Sequence, residues 1–148
     1  MPSELTQYGL RRARILLADD CKEIRERAVS LLLSEFEVCG EVGDGCELLQ
    51  AELELHPDVT VVDISMPGIC GLDAAARLKA RGSRSRILVL TVYDDPDFLR
   101  AAFASGVTGY ILKSRMASDL CRAIREALAG RCFVSPSPKL SAEVVGRQ

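Results

Sequence analysis

Runs of mostly apolar residues punctuate the chain at 15–18 (ILLA), 59–62 (VTVV), 87–90 (ILVL) and 110–112 (YIL), separated by longer stretches of mixed polarity. Unbroken apolarity of this length predicts strands buried on both faces, as in a parallel sheet, rather than the alternation of a half-exposed strand. A further run at 38–42 (VCGEV) is interrupted by glycine and glutamate and is expected at a sheet edge. Between the runs, Ile24, Ala28, Leu31 and Leu32 fall at helical spacing, as do Leu120, Ile124, Ala127 and Leu128. Amphipathic helices are therefore expected over 22–35 and 116–129. Stretches 45–55, 71–81 and 96–105 fit helices less cleanly. Two of them carry start signals: Asp44 with Glu47 as a capping box, and Asp95-Pro96 as an N-cap followed by proline at the first helical position.

The repeated β-α order predicts a parallel sheet covered by helices on both faces, because each right-handed crossover lays a helix back on the sheet. Sites in such folds gather beyond the carboxyl ends of the strands. The residues there are Asp19-Asp20, Asp63, Thr91 and Lys113. Each has an ordinary reading taken alone. Asp20 can cap the first helix with Glu23, Thr91 suits a strand, Lys113 can be solvated, and Asp63 with Lys113 can be a structural ion pair. None of these accounts for three carboxylates brought to one crevice by neighbouring strands. Two carboxylates ~4 Å apart repel by about 4 kcal/mol at an effective dielectric of about 20, so a cation belongs among them. Hard oxygen ligands in an open site suit Mg²⁺. Lys113 and Thr91 suit phosphoryl oxygens, and Asp63 becomes a candidate nucleophile toward phosphorus.

At 148 residues, with 48% hydrophobic and 27% charged positions, the chain has the length of one domain with a real core. A net charge of -2 gives no broad basic field for binding a phosphate backbone. Cysteines at 21, 39, 46, 70, 121 and 132 include no C-x-x-C pair, which disfavours zinc and a disulfide framework and leaves reduced thiols. The N-terminal stretch has no apolar segment of a signal peptide, and no run approaches a membrane span, so a soluble, cytoplasmic protein without membrane contact is expected.

The elements RILLADD, VVDISMPGICGL, ILVLT and GYILK, in order and over about 14–135, resemble the receiver domain of two-component response regulators. LTVYDDP and the FVSPS near the end are similar to the subgroup in which a LuxR/NarL-type helix-turn-helix follows the receiver. The resemblance implies an α/β fold, a doubly wound five-stranded parallel sheet of (βα)5 flavodoxin-like type with strand order 2-1-3-4-5. It also implies a division into a leader over 1–13, the receiver over 14–132, and the start of a linker or tail over 133–148. On the same basis Asp63 accepts a phosphoryl group from a sensor histidine kinase or a small acyl phosphate, making the chain a signalling phosphoacceptor and not an enzyme. Asp19, Asp20, Asp63 and the Ser65 carbonyl would hold Mg²⁺, with Thr91 and Lys113 on the phosphoryl oxygens. Thr91 and Tyr110 would form the switch, Tyr110 turning inward and changing the surface of helix four, strand five and helix five. Ser65 and Tyr93 match positions that tune dephosphorylation, with Tyr93 expected to shield the phosphoryl group. Partners implied are the kinase, a second copy after phosphorylation, and DNA only through an output domain.

Some positions depart from the family's usual pattern. Val92 stands where a smaller residue is common and is expected to narrow access. Cys21 and Cys70 occupy loops near the site; small buried thiols are the favoured reading over a redox role. The lone histidine, His56, reads as an exposed residue before Pro57. Two other functions remain open: a receiver-like interaction module that works without phosphorylation, and a Mg²⁺-dependent phosphatase. The phosphatase class carries a second acid two residues after its nucleophile, and that position here is Ser65. No G-x-G-x-x-G follows the first strand, which disfavours dinucleotide binding.

Overall fold

A computed structural model describes residues 11–141. The elements are β1 (Arg14–Ala18), α1 (Lys22–Leu32), β2 (Glu37–Val42), α2 (Gly45–Leu55), β3 (Val59–Val62) and α3 (Gly71–Ala80), then β4 (Arg86–Thr91), α4 (Pro96–Ala104) and β5 (Gly109–Leu112). A 3-10 turn (Lys113–Arg115) leads into α5 (Met116–Leu128), and a short β6 (Phe133–Val134) follows. All neighbours pair in parallel, in the order β2-β1-β3-β4-β5-β6. The expected 2-1-3-4-5 sheet is therefore present with a sixth strand added at β5.

Side chains alternate across each strand and feed two cores. Ile15, Leu17, Val61, Leu88, Leu90 and Ile111 face one core, shared with α1 and α5. Leu16, Ala18, Val62, Val89, Tyr110 and Leu112 face the other, shared with α2, α3 and α4. Both faces of β3 and β5 are buried, which is why their sequences show no polar alternation. β2, the interrupted run, is an edge strand and remains partly exposed.

The caps anticipated for α2 and α4 form. Asp44 accepts from Glu47 N at 2.8 Å, and Glu47 Oε1 accepts from Gly43 N at 3.0 Å, one residue before the N-cap. Asp95 accepts from Asp97 N at 2.8 Å, with Pro96 at the first helical position. α1 differs: its N-cap is Cys21, without a side-chain cap, so Asp20 with Glu23 is not a capping box. α1 also stops at Leu32 rather than 35, because Phe36 is buried and the chain must turn to place it. His56 is exposed, as expected, and closes α2 in the left-handed conformation (φ 49°).

Two expected boundaries do not coincide with ends of packing. Within the leader, Arg11 pairs with Asp58 at 2.7 Å and Ala13 is fully buried; residues 1–10 lie outside the described residues. Beyond Cys132, β6 pairs with the edge of β5, and Ser135, Ser137 and Leu140 are buried against the domain. Residues 142–148 lie outside the described residues.

Candidate functional site

The sheet itself positions the acids. Asp19 follows β1 and its N–H donates to Val42 O at 3.0 Å; Asp63 follows β3 and its N–H donates to Ala18 O at 2.9 Å. Hydrogen bonding between adjacent strands thus brings two carboxylates from distant parts of the chain to one rim. Gly71, which opens α3, completes the fit. A Cβ there would lie 2.0 Å from Asp63 O, so only glycine lets α3 start this close to β3.

Asp19, Asp20 and Asp63 each present a carboxylate oxygen within 4.8 Å of the others. Asp19 and Asp63 are buried, whereas Asp20 is exposed. Lys113 Nζ lies 2.8 Å from Asp19 Oδ2 and 3.3 Å from Asp63 Oδ2. Burial pushes the Asp63 carboxyl above the ordinary value and the Asp19 charge adds to the rise, while Lys113 opposes it. For Lys113 burial acts to lower the pKa, but the contacts with Asp19 and Asp63 outweigh it and the ammonium is held more firmly. Asp19 Oδ2 has Lys113 as its charge partner, and that one ammonium also faces Asp63. One ammonium among three carboxylates leaves the cluster short of positive charge.

Thr91 is fully buried, its hydroxyl accepting from Tyr93 N at 3.1 Å. Ser65 is exposed; its N–H donates to Asp63 Oδ1 at 3.4 Å and its hydroxyl shares a hydrogen bond with Tyr93 OH at 3.0 Å. The Tyr93 ring stacks on Phe98, centroids 4.2 Å apart and planes 12° from parallel. Tyr110 is fully buried and its hydroxyl donates to Tyr93 O at 2.5 Å. The inward position expected after phosphorylation is thus the one held in this structure. Val92 is 68% exposed on the loop after β4, directed outward.

Cys21 and Cys70 are both exposed, contrary to the buried thiols expected, because each is the N-cap residue of a helix at the open end of the sheet. Arg25 was missed. Its guanidinium donates to the backbone carbonyl of Asp19 and lies 3.5 Å from Glu41, tying α1 and β2 to the loop that carries the acids. In sequence it is one arginine on an otherwise charged helix face, and no spacing rule marks it.

The family profile described as response regulator receiver domain matches residues 15–125. The chain belongs to this family. It is a two-component receiver domain, a signalling phosphoacceptor rather than a conventional enzyme, and its relatives are transcription regulators of the NarL/LuxR type. It is 34% identical over 136 residues to the transcriptional regulatory protein LiaR of Bacillus subtilis, covering 90% of this chain and 62% of that protein. It is 36% identical over 125 residues to the oxygen regulatory protein NreC of Staphylococcus epidermidis, covering 82% and 57%. The receiver therefore spans about three fifths of the length of these curated relatives. Among solved structures, a LuxR-family two-component response regulator from Aurantimonas sp. superposes with a TM-score of 0.83 at 32% identity, covering 92% of this chain and 97% of that one. The signal receiver domain of NarL from Mycobacterium tuberculosis gives 0.79 at 28% identity, covering 82% and 99%. No helix among the described residues is long and apolar enough to cross a membrane.

Proposed function

We propose that this receiver accepts a phosphoryl group on Asp63 from a phosphohistidine of a sensor histidine kinase, and that the event alters an output, transcription through a DNA-binding domain in the full regulator. The observation that carries the reading is the meeting of Asp19, Asp20 and Asp63 with Lys113 in one pocket at the strand ends. In the transfer an Asp63 carboxylate oxygen forms the new O–P bond while the P–N bond of the donor breaks, its electron pair leaving with the imidazole nitrogen. Lys113 compensates charge on the phosphoryl oxygens and the Thr91 hydroxyl donates to one of them. Positioning does most of the work, because the acid is already at a strand end fixed by backbone hydrogen bonds.

The donor set fits Mg²⁺: hard oxygens of three clustered carboxylates facing a single ammonium, with an exposed Asp20 that leaves the site open. Asp19, Asp20, Asp63 and the Ser65 carbonyl would hold the ion, which when bound supplies charge neutralisation for the clustered carboxylates and the phosphoryl oxygens. Ser65, whose N–H reaches Asp63 Oδ1, and Tyr93, which shares a hydrogen bond with the Ser65 hydroxyl, slow attack by water in this reading. Thr91 and Tyr110 form the switch that alters the α4, β5 and α5 surface, through which a second copy docks.

Incubation with Mg²⁺ and acetyl phosphate followed by intact mass measurement tests the reading. A gain of one phosphoryl group that disappears in Asp63→Asn is expected. Labelling that persists in that variant, or none in the unaltered protein, overturns it, the latter in favour of a module that acts by contact alone.

A further inference from the structure

The backbone of Asp19 is held from two directions. Its N–H donates to Val42 O at 3.0 Å, at the end of β2, and its carbonyl accepts from the Arg25 guanidinium, one turn into α1. Through Nε the same guanidinium lies 3.5 Å from Glu41 Oε1, and Glu41 directly precedes Val42 on β2. The contacts form a closed circuit that runs from Asp19 through Val42, Glu41 and Arg25 back to Asp19. Inside it the Asp19 side chain is oriented as well: Oδ1 accepts from Cys21 N at 2.8 Å, and Oδ2 faces Lys113 Nζ at 2.8 Å.

Fold stability alone does not account for this arrangement. The Arg25 and Glu41 side chains are 20% and 42% exposed, and ion pairs so open to water add little to stability. The tie matters more for where the acids point. The carbonyl that Arg25 holds belongs to the peptide joining Asp19 to Asp20, so this hydrogen bond sets the direction in which the exposed Asp20 leaves the strand end. Nearby side chains offer that carbonyl no substitute donor, since Asp19 and Arg25 border a small cavity whose other walls include the apolar Leu17, Val61 and Leu90. An unmasked guanidinium beside the cluster would oppose a bound cation, and Glu41 offsets that charge.

We propose that Arg25 is a positioning residue for the metal ligands Asp19 and Asp20, and that Glu41 masks its charge so that the loop is fixed without a second cation repelling Mg²⁺. The inference deepens the metal-site reading given above and rests on it. Carboxylates carried on a peptide already fixed need little ordering when the ion arrives, and outer partners of this kind set metal affinity without touching the metal.

Calorimetric titration of the 148-residue chain with Mg²⁺ at low salt tests this. Arg25→Met combined with Glu41→Gln removes the tie and leaves the net charge unchanged; its Kd for Mg²⁺ is expected to rise about tenfold. Arg25→Lys keeps the charge but has no second nitrogen to hold the carbonyl and Glu41 together, and a rise of about threefold is expected. Glu41→Gln alone unmasks the guanidinium, and its rise of about threefold at low salt is expected to shrink at high salt. Thermal midpoints in EDTA are expected to stay close to that of the unaltered protein. In labelling by acetyl phosphate, the half-saturating Mg²⁺ concentration is expected to rise while the rate at saturating Mg²⁺ is retained. An unchanged Kd in the double variant, or in Glu41→Gln at low salt, overturns the proposal and leaves the metal site intact. Lowered thermal midpoints with unchanged Kd values in Arg25→Lys and Glu41→Gln show a merely structural tie and also overturn it. Absence of Mg²⁺ binding in the unaltered protein removes the metal-site reading, and the positioning role with it.

Discussion

Asp63 sits where burial and the Asp19 charge both disfavour its ionised form, with Lys113 as the opposing cation. A carboxyl whose folded pKa is raised costs stability while ionised, and the cost fades as pH falls through that raised value. Asp63→Asn is therefore expected to raise the thermal midpoint of the metal-free protein at neutral pH, with a gain that shrinks toward acid pH; an unchanged or lower midpoint at pH 7 contradicts this. Tyr93 joins Ser65 through its hydroxyl and Phe98 through its ring. Tyr93→Phe keeps the stack and loses the hydrogen bond, whereas Tyr93→Ala loses both. Phosphoryl lifetime is expected to shorten modestly in the first and strongly in the second, as followed by loss of the mass label; equal lifetimes in all three proteins would remove the shielding role. Which of these residues were legible followed from chain position. Asp19, Asp63 and Lys113 stand at ends of apolar runs, whereas Arg25 and the exposure of Cys21 and Cys70 depend on how α1 and α3 dock.

At the scale of elements, α3 begins against the end of β3 because Gly71 has no side chain to strike Asp63 O. Gly71→Ala must move one element or the other. A loss of roughly 3 kcal/mol or more in chemical unfolding is expected, with weakened Mg²⁺ binding, since the Asp63 loop moves too. The β6 attachment turns on Asp119, whose carboxyl is lowered: burial acts to raise it, but bonds from Arg115, Ser135 and Ser118 prevail. Stability from a lowered carboxyl is present above its unfolded value, near 3.8, and is lost as pH falls through the lower folded value. Asp119→Asn is expected to cost about 1–3 kcal/mol at neutral pH, with the difference from the unaltered protein closing only below pH 3.8. A difference that closes well above pH 3.8, or that stays undiminished far below it, would place the effect elsewhere. The helices with cap signals, α2 and α4, start where Asp44 and Asp95 indicated. β6 carried no such signal, since two residues flanked by cysteine and serine look like any loop until β5 offers them an edge.

For the whole molecule, ion binding and fold stability are linked. Mg²⁺ at about 100 times its Kd is expected to stabilise the folded chain by about 2.7 kcal/mol, an effect reversed by EDTA and reduced in Asp20→Asn. An Asp20→Asn protein with the full gain would show that the exposed carboxylate is no ligand. Complete conversion of the switch needs about 5.5 kcal/mol of differential stabilisation, so a partial shift is the expected response to phosphorylation. The sequence by itself determined the parallel architecture, because strands buried on both faces must be continuously apolar, and it marked the acids, threonine and lysine at the strand ends. Only the tertiary structure decided that Asp19 and Asp63 are buried while Asp20 faces solvent, that Tyr110 lies inside, and that the stretch after Cys132 closes the sheet. Those outcomes depend on which surfaces meet after the chain has folded, and contacts between residues far apart in sequence leave no periodic trace along it.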